Sequence, residues 1–406
     1  MLARTLRPVI ILASLLGCTP QPHGPTIRPG DPEPKVEPGL SEEECRALGE
    51  KIAKAVRDGN PKALATVFDL DELIRKGIGD LDASNAAKDR FVAEIRGDAR
   101  KGGVLEQRIR DQVSGGAEYK YLHAHVVGNE QRLLFRIARP TLDELVLNYH
   151  DVVLQRRPDG QVKATDVYVL ANGELLSMTA RRAFVLTRLR QLQPPADSLP
   201  PVERAYLLHL PLVERMMQLE REGNHAKALG IYDQLPTELQ RDKNLLLIRL
   251  RAAQAVGEAA YAEAIQDFRT FHPDDPSIDL YGIEYFVHVK DFGRALASID
   301  RVEKAVGDHA YMDLMRANVH QAAGNWAAAR QAAEATVAAE PTLAAAHWIL
   351  LNVSLHEKKH DETLNRLREL KRRFHPEFRD FATLPEYAEF VKSPQYQDWI
   401  KSQKSP

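Results

Sequence analysis

The sequence predicts two folded parts in series, an α+β domain followed by an all-α solenoid of helical hairpins. Three observations support this prediction. In the C-terminal half, small residues recur at a nearly constant spacing on helical segments. Between residues 119 and 170, apolar and polar residues alternate in four runs separated by turn residues, as in an antiparallel meander. A proline-rich stretch, which we place at 193–204, predicts a linker between the two patterns.

The recurring unit is clearest at Gly324–Pro341, where a Gly-Asn turn precedes a helix and proline ends it. A small residue stands in the middle of the apolar face of each helix. These anchor residues follow one another at nearly equal steps along the chain: Ala228, Ala264, Ala295, Ala329 and Thr363. Most copies carry a large apolar residue four positions after the anchor. Such in-phase copies predict an array of helix–turn–helix units.

A helix–turn–helix period of this length with these anchors resembles the tetratricopeptide repeat (TPR) family. The resemblance covers residues 205–376, or about five repeats. The second helices follow the family pattern. The first helices depart from it, because Asp313 and Arg316 in the fourth repeat, and His347 and Leu350 in the fifth, stand where the family favours Trp and Leu. The resemblance implies a concave wall of first helices that receives an extended peptide or a partner helix.

The register of Ala329 and Thr363 predicts which residues face this groove. The inner positions of the fourth and fifth repeats are Tyr311, Leu314, Asn318, Gln321, Ala345, Trp348, Asn352 and Leu355. Asn318 and Asn352 occupy the same slot, and an asparagine amide can both donate to and accept from a peptide backbone. We therefore expect peptide binding here. Ordinary surface or interhelix polar residues are the alternative, and Trp348 suits the core as well as the groove.

The segment 377–406 differs from the repeats in its high content of aromatic residues. A solenoid exposes an apolar face at its last repeat, and an atypical terminal segment must cover it. We expect capping helices here rather than a ligand site.

The segment 1–18 has the pattern of a bacterial export signal. A short basic start precedes an apolar run that is too short to span a bilayer, and the segment ends in Leu15-Leu16-Gly17-Cys18. This ending resembles the lipobox of bacterial lipoproteins, in which a peptidase cuts before the cysteine and the thiol receives a diacylglycerol. The resemblance implies that Cys18 is acylated and anchors the chain to a membrane. An ordinary signal peptide or a misassigned start, with an incidental cysteine, is the alternative.

Residues 19–40 are rich in proline and poor in apolar residues, which predicts a disordered, extended tether. Thr19, rather than Asp, follows the cysteine, and this resembles the outer-membrane address of Gram-negative lipoproteins. We expect an exported protein on the periplasmic or surface face of the outer membrane. The other cysteine, Cys45, is expected to be a small buried residue on the first helix.

The domain at 41–192 is predicted to contain helices, then a sheet, then a helix. Ser41-Glu-Glu-Glu44 predicts a capped helix start, a second helix begins at Asn60-Pro61, and a third covers 84–113. Four strands are expected at 119–127, 132–137, 145–155 and 162–170, and a helix at 174–192. This order resembles the nuclear-transport-factor-2-like cone family, which often has a pocket between its sheet and helices.

Polar residues on these strands are candidates for such a pocket. His123 and His125 are expected on the sheet face that also carries Tyr119 and Tyr121, and they could ligate a metal if His150 joined them. A satisfied or exposed histidine pair is the interpretation that we favour, so we expect no metal.

Two carboxylates, Asp151 and Asp166, could transfer a proton, or could simply provide polarity at a strand edge. The sequence contains no nucleophile elbow, phosphate loop or His-Glu pair at zinc spacing. We therefore expect neither catalytic residues nor a cofactor.

Composition excludes few function classes. The chain has 406 residues, of which 44% are hydrophobic and 28% charged, which is sufficient for two or three domains. The formal net charge of −2 gives no reason to expect nucleic acid binding. Two cysteines are too few for a disulfide framework.

The favoured function is a membrane-tethered scaffold that binds an unidentified envelope protein or peptide through its TPR-like groove. A small-ligand receptor or enzyme that uses the α+β domain is the second hypothesis. A structural spacer in an envelope assembly is the third.

Overall fold

The computed structural model describes residues 40–96, 117–140, 145–192, 199–376 and 381–404. The described residues form two compact units. The larger unit extends to Ile278 without residues 140–145, and the smaller unit begins at Asp279. The predicted export signal, Cys18 and the predicted tether up to residue 39 lie outside the described residues.

Four helices open the larger unit: α1 (Glu42–Arg57), α2 (Pro61–Val67), α3 (Leu70–Ile78) and α4 (Asn85–Arg96). The capping box predicted at the start of α1 is confirmed, because Ser41 Oγ accepts from the backbone N–H of Glu44, whose carboxylate accepts from Ser41 N–H. Cys45 lies on α1 and is fully buried, as expected. The third predicted helix is described only over α4, and residues 97–113 lie outside the described part of the chain.

The sheet has five strands in the order β1-β2-β3-β4-β5: β1 (Glu118–Val127), β2 (Glu130–Pro140), β3 (Leu145–Arg156), β4 (Val162–Val169) and β5 (Glu174–Leu175). The predicted meander of four strands is confirmed. The fifth strand was not predicted, because it has two residues and no alternation can be recognised at that length. Helix α5 (Leu176–Leu192) follows it.

A β-bulge in β1 corrects the predicted placement of the two histidines. Tyr121 pairs with Phe135 of β2 but His123 pairs with Leu134, so Leu122 is an extra residue. One extra residue reverses the alternation of side chains between the two faces of a strand. Tyr119 and Tyr121 therefore pack in the hydrophobic core of the domain, whereas His125 faces away from it, opposite Arg132. The prediction that these tyrosines and histidines share one face was wrong.

The core of the domain lies between one sheet face and the helices. It contains apolar residues of α1–α5 together with Tyr119, Phe135, Val152 and Val167 from the strands. Helices α3 and α5 pack against each other and against β4. This arrangement confirms the predicted α+β layer with helices on a sheet face.

Helical hairpins follow the α+β part of the chain. The larger unit contains α6 (Pro201–Arg221) paired with α7 (His225–Tyr232), a short α8 (Thr237–Gln240), and α9 (Lys243–Val256) paired with α10 (Glu258–Phe271). Helix α7 also packs on α9, so the first hairpin stacks on the second. Helix α6 begins inside the stretch predicted as a linker, because proline is well tolerated in the first turn of a helix.

Three hairpins follow the same plan in the smaller unit. Their helices are α11 (Ser277–His288), α12 (Phe292–Val306), α13 (Ala310–Ala322), α14 (Trp326–Ala339), α15 (Ala344–His356) and α16 (His360–Phe374). Each second helix contacts the first helix of the next hairpin, as α12 contacts α13 and α14 contacts α15. The first helices α13 and α15 also touch each other. The observed fold class is therefore the predicted one, an α+β part followed by a solenoid of helical hairpins.

The five anchor residues lie at the centre of this packing. Each is on the second helix of a hairpin and is at most 1% exposed: Ala228, Ala264, Ala295, Ala329 and Thr363. The residue four positions later is also buried in every hairpin, including Ala333, where the sequence lacks a large side chain. Small anchors allow the neighbouring helices to approach closely, and the following residue fills the space between them.

The turn inside four of the five hairpins uses the same backbone conformation. Five residues before the anchor, Gly223, Lys290, Gly324 and Lys358 all have a positive φ between 56° and 76°. At Lys290, the N–H donates to the carbonyl of Val287, and the next N–H donates to that of Phe286. This Schellman motif satisfies the last carbonyls of the first helix. Two lysines thus occupy positions that favour glycine.

We expect Lys290→Gly to increase the free energy of unfolding by about 0.5–1 kcal/mol, because glycine adopts the left-handed conformation without a Cβ penalty. Gly324→Ala should decrease it by about 1 kcal/mol, since an added Cβ meets no atom within 4 Å and only the backbone penalty remains. Urea unfolding followed by circular dichroism measures both. Equal midpoints for the two variants would contradict the proposed turn energetics.

An aromatic segment closes the C-terminal end of the smaller unit. After two short 3₁₀ turns at Phe381–Thr383 and Pro385–Tyr387, helices α17 (Ala388–Val391) and α18 (Pro394–Lys404) follow. Its buried side chains form one cluster with α15 and α16: Leu351, Leu364, Leu367, Leu370, Phe381, Tyr387, Phe390, Tyr396 and Trp399. The segment thus packs on the last hairpin.

None of the described helices combines the length and the apolar character needed to cross a bilayer.

Candidate functional site

The candidate groove lies in the smaller unit, on the first helices α13 and α15. Asn318 is exposed, and its Nδ2 donates to the carbonyl oxygen of Leu314 at 3.1 Å. Asn352 Nδ2 donates to Gln321 Oε1 at 3.3 Å. This hydrogen bond joins two amide side chains from successive hairpins, so they belong to one continuous polar surface.

The amide surface retains unused hydrogen-bonding capacity. Within the described residues, the Oδ1 atoms of Asn318 and Asn352 have no hydrogen-bond partner. Each can accept a hydrogen bond from a backbone N–H of a bound peptide. Because Asn352 is already oriented by Gln321, less side-chain entropy is lost when it binds.

The other predicted groove residues have different surroundings. Tyr311 and Leu314 are 2% and 3% exposed, so they support the amide surface from below and offer no contact area to a partner. Trp348 is half-buried and, with Leu355, packs against the aromatic cluster of the C-terminal cap. The accessible amides of the candidate groove are therefore Asn318, Gln321 and Asn352, and Trp348 and Leu355 are partly exposed beside them.

Ion pairs hold these helices in place, and one of them involves Arg316, a departure from the TPR pattern. Arg316 extends from α13 to α12, where it donates to Glu303 at 2.6 Å and to Asp300 at 2.8 Å. The hydrogen bonds from Arg316 lower the pKa of Glu303. Arg316 thus replaces an apolar interhelix contact with a charged one.

Arg330 makes a similar link between the fourth and fifth hairpins. It lies on α14 and pairs with Glu357, in the turn after α15, and with Glu362 of α16, each at 2.7 Å. The hydrogen bonds from Arg330 lower the pKa of Glu362. Next to this link, Trp326 stacks on His356 with ring centroids 4.2 Å apart. These pairs could not be predicted from the sequence, because they join positions far apart in the chain with no local pattern.

His347, another departure from the family pattern, is fully buried. Its Nε2 lies 3.0 Å from the carbonyl oxygen of Pro341, and its ring packs against Phe374 with centroids 5.3 Å apart. The histidine therefore joins the loop that precedes α15 to the end of α16 and has a structural role.

Second helices stack on the first helices that follow them, the small anchor residues are buried, and left-handed turns recur at the same distance before the anchors. These features decide the class of the array. It is TPR-like. No protein-family model matches the chain, and no curated protein matches it.

Solved structures that align with part of the chain include three helical proteins at low identity. PilW, a widely conserved type IV pilus biogenesis factor, aligns at 12% identity and a TM-score of 0.37, over 48% of this chain and 92% of PilW. MamA of AMB-1 aligns at 13% identity and 0.33, over 44% and 98%. A tetratricopeptide repeat protein from Parabacteroides merdae aligns at 9% identity and 0.37, over 56% and 86%. The class of the array rests on its own packing.

The α+β domain carries a polar cluster on the sheet face away from its core. Asp151 lies 3.1 Å from His125 Nε2 and 3.1 Å from Arg132 Nη1. Arg132 also pairs with Glu130 at 2.6 Å. The carboxylate of Asp151 is thus shared between two nitrogen-bearing partners, which explains its burial and leaves it poorly placed as a proton acceptor.

The second candidate carboxylate, Asp166, is buried. Its Oδ1 accepts from the N–H of Ser177 at 3.1 Å and from that of Val167 at 2.8 Å. It therefore satisfies a free N–H at the start of α5. Burial raises its pKa, while the hydrogen bonds from Ser177 and Val167 oppose that rise.

His150 does not join the other two histidines. It is buried near Tyr119, whose hydroxyl lies 3.3 Å from His150 Nδ1, and burial lowers its pKa to about 4. Among the described residues, no group of three or more His, Cys, Asp or Glu side chains is arranged to hold a metal ion. The lipidation residue Cys18 lies outside the described part of the chain.

Proposed function

We propose that this chain is an exported lipoprotein, acylated at Cys18, that acts as a non-enzymatic scaffold for an envelope protein or peptide. The observation that carries the binding proposal is the linked amide surface on α13 and α15. Sequence-tolerant binding of an extended peptide requires side chains that both donate and accept at regular spacing, and Asn318 and Asn352 occupy equivalent positions on stacked helices of successive repeats.

The test is photo-crosslinking in the native envelope. A photoreactive amino acid placed at Ala322, an exposed residue next to Gln321 on α13, should capture a specific partner. In the Asn318→Ala, Asn352→Ala double variant we expect about a thirtyfold loss of the crosslinked product, because two hydrogen bonds of about 1 kcal/mol each are removed. Asn365→Ala is the matched control, since Asn365 is exposed on the second helix α16. Equal loss in the control variant, or no loss in the double variant, would contradict the proposal that the groove binds the partner.

The lipid anchor has an independent test. Incorporation of radiolabelled palmitate should occur in the wild-type chain and be absent from Cys18→Ala. Equal labelling of both would rule out acylation at Cys18. The outer membrane is the proposed address, because Thr19 follows the cysteine.

The cone-like resemblance of the α+β domain leaves a small-ligand role as the second candidate. The observation that favours it is the half-buried cluster of His125, Arg132 and Asp151 on the second sheet face. Arg132→Met would abolish binding of a polar ligand there and leave crosslinking at Ala322 unchanged. Loss of the crosslink in Arg132→Met would instead indicate a structural role for the cluster.

A further inference from the structure

Two adjacent apolar side chains project from the tip of the β1–β2 hairpin in the larger unit. Val126 is 68% exposed and Val127 is 46% exposed. Neighbouring strand residues point to opposite sides, so both sides of the tip are apolar. Single exposed apolar residues are common on protein surfaces. Two adjacent valines at the end of a hairpin form a small apolar surface that can move from water into a less polar environment.

The chain enters the folded domain beside this tip. The Leu40 N–H donates to Gln131 Oε1 at 2.7 Å, and Gln131 Nε2 donates to the Leu40 carbonyl at 3.0 Å. Gln131 is the cross-strand partner of Val126. Leu40, the first described residue, is therefore hydrogen-bonded to the residue that pairs with Val126.

We propose that this hairpin tip contacts the lipid surface to which the chain is anchored, an inference that rests on the proposed acylation of Cys18. Residues 19–40 can extend at most about 75 Å, so the anchor keeps the domain close to the bilayer at a high effective concentration. At that effective concentration, a small apolar contact between the tip and the lipid is sufficient for the lipid-bound state to be populated. Because the chain leaves the domain next to the tip, the tip can reach the lipid without a reversal of the chain.

The charges around the tip are largely compensated. Glu130 begins β2 and is 44% exposed, and Glu42, Glu43 and Glu44 are exposed in the first turn of α1, just after Leu40. Three of these four carboxylates are ion-paired, Glu42 with Arg46, Glu44 with Arg156 and Glu130 with Arg132. The contact therefore depends on the two valines, so a zwitterionic surface is sufficient and added anionic lipid leaves the contact unchanged.

The experiment uses the full-length acylated chain with Val126→Cys labelled by an environment-sensitive fluorophore. Cys18 is blocked by its acyl group, and Cys45 is buried. Leu208→Cys is the matched control, because Leu208 is an apolar residue of α6 that is 61% exposed. On phosphatidylethanolamine–phosphatidylcholine vesicles we expect a blue shift and quenching by nitroxide-labelled lipids at position 126 only. Replacing a third of the lipid by phosphatidylglycerol should leave the quenching unchanged, because most carboxylates near the tip are ion-paired.

Flotation of the same vesicles separates the two proposals. Flotation of the acylated protein with equal quenching at positions 126 and 208 overturns the lipid contact and leaves the anchor intact. Absence of flotation, compared with Cys18→Ala, overturns the anchor and the contact together. A blue shift at position 126 in Cys18→Ala without vesicles overturns the contact, because it identifies the chain's own N-terminal segment as the occupant.

Discussion

Gly77→Ala is expected to decrease the free energy of unfolding by about 3 kcal/mol, an overpacking effect at the upper end of the usual range. Gly77 lies on α3 where that helix crosses α5. A Cβ at this position would be 2.1 Å from the carbonyl oxygen of Ser177 and 2.9 Å from its carbonyl carbon. Both are backbone atoms, so no side chain can rotate away, and the two helices must separate. That separation also weakens the hydrogen bond from Arg181 to the Gly77 carbonyl, now 3.0 Å long.

The control for this prediction is Gly230→Ala. Gly230 is also in a helix, α7, but a Cβ there meets no atom within 4 Å. Alanine should be neutral or stabilising at this position, by up to about 1 kcal/mol, because it has the higher helix propensity. Urea titrations of both variants, followed by circular dichroism, give the comparison. A Gly77 variant that unfolds at the midpoint of the Gly230 variant would show that α3 and α5 do not pack closely.

The hairpin array was predictable because its constraints are local and repeated. Each anchor must be small for helices to approach, and each lies at nearly the same distance from the next one along the chain. Ala228 and Thr363 could be placed in register although the residues around them differ. The burial of all five anchors follows from that spacing.

The groove was harder to predict, since burial depends on neighbours that a single repeat does not reveal. Tyr311 and Leu314 occupy inner positions by register, yet both are buried. Trp348 is covered by the terminal cap, whose docking position cannot be derived from the repeat period. Arg316 was recognised as a departure from the family, but its partners Glu303 and Asp300 belong to another helix.

In the α+β domain, the strands and their order were predictable from alternation and turn residues. The face of each side chain was not, because a single bulged residue, Leu122, reverses it. Nothing in the local sequence distinguishes Leu122 from a regular strand residue. The same limit applies to Asp166, whose partner Ser177 is brought near it only by the turn through Gly173.

In the larger unit, a polar contact joins the α+β domain to the second hairpin. The α+β domain is therefore not structurally independent of the hairpins that follow it. Arg182 of α5 is 5% exposed and pairs with the Glu174 carboxylate, which is 11% exposed. Its Nη2 also donates to Asn244 Oδ1 of α9 at 3.0 Å. A deletion of the whole domain would leave Asn244 and Lys243 without these partners, since Lys243 donates to the Gly173 carbonyl at 2.6 Å.

Arg182→Met should therefore decrease the free energy of unfolding of the larger unit by about 3–5 kcal/mol, because it leaves the Glu174 carboxylate buried without its counterion. The double variant Glu174→Gln, Arg182→Met should recover much of this loss, since the uncompensated charge is removed. Arg46→Met is the control: its pair with Glu42 is 67% and 85% exposed, and its loss should cost less than about 1 kcal/mol.

Urea unfolding of the single and double variants provides the thermodynamic cycle. A coupling energy near zero would mean that Arg182 and Glu174 are solvated independently, and the α+β domain would then be free to unfold without the hairpins. A large coupling, with both parts of the larger unit unfolding in one transition, is the expected result. It would mean that the α+β domain and the first two hairpins behave as one body.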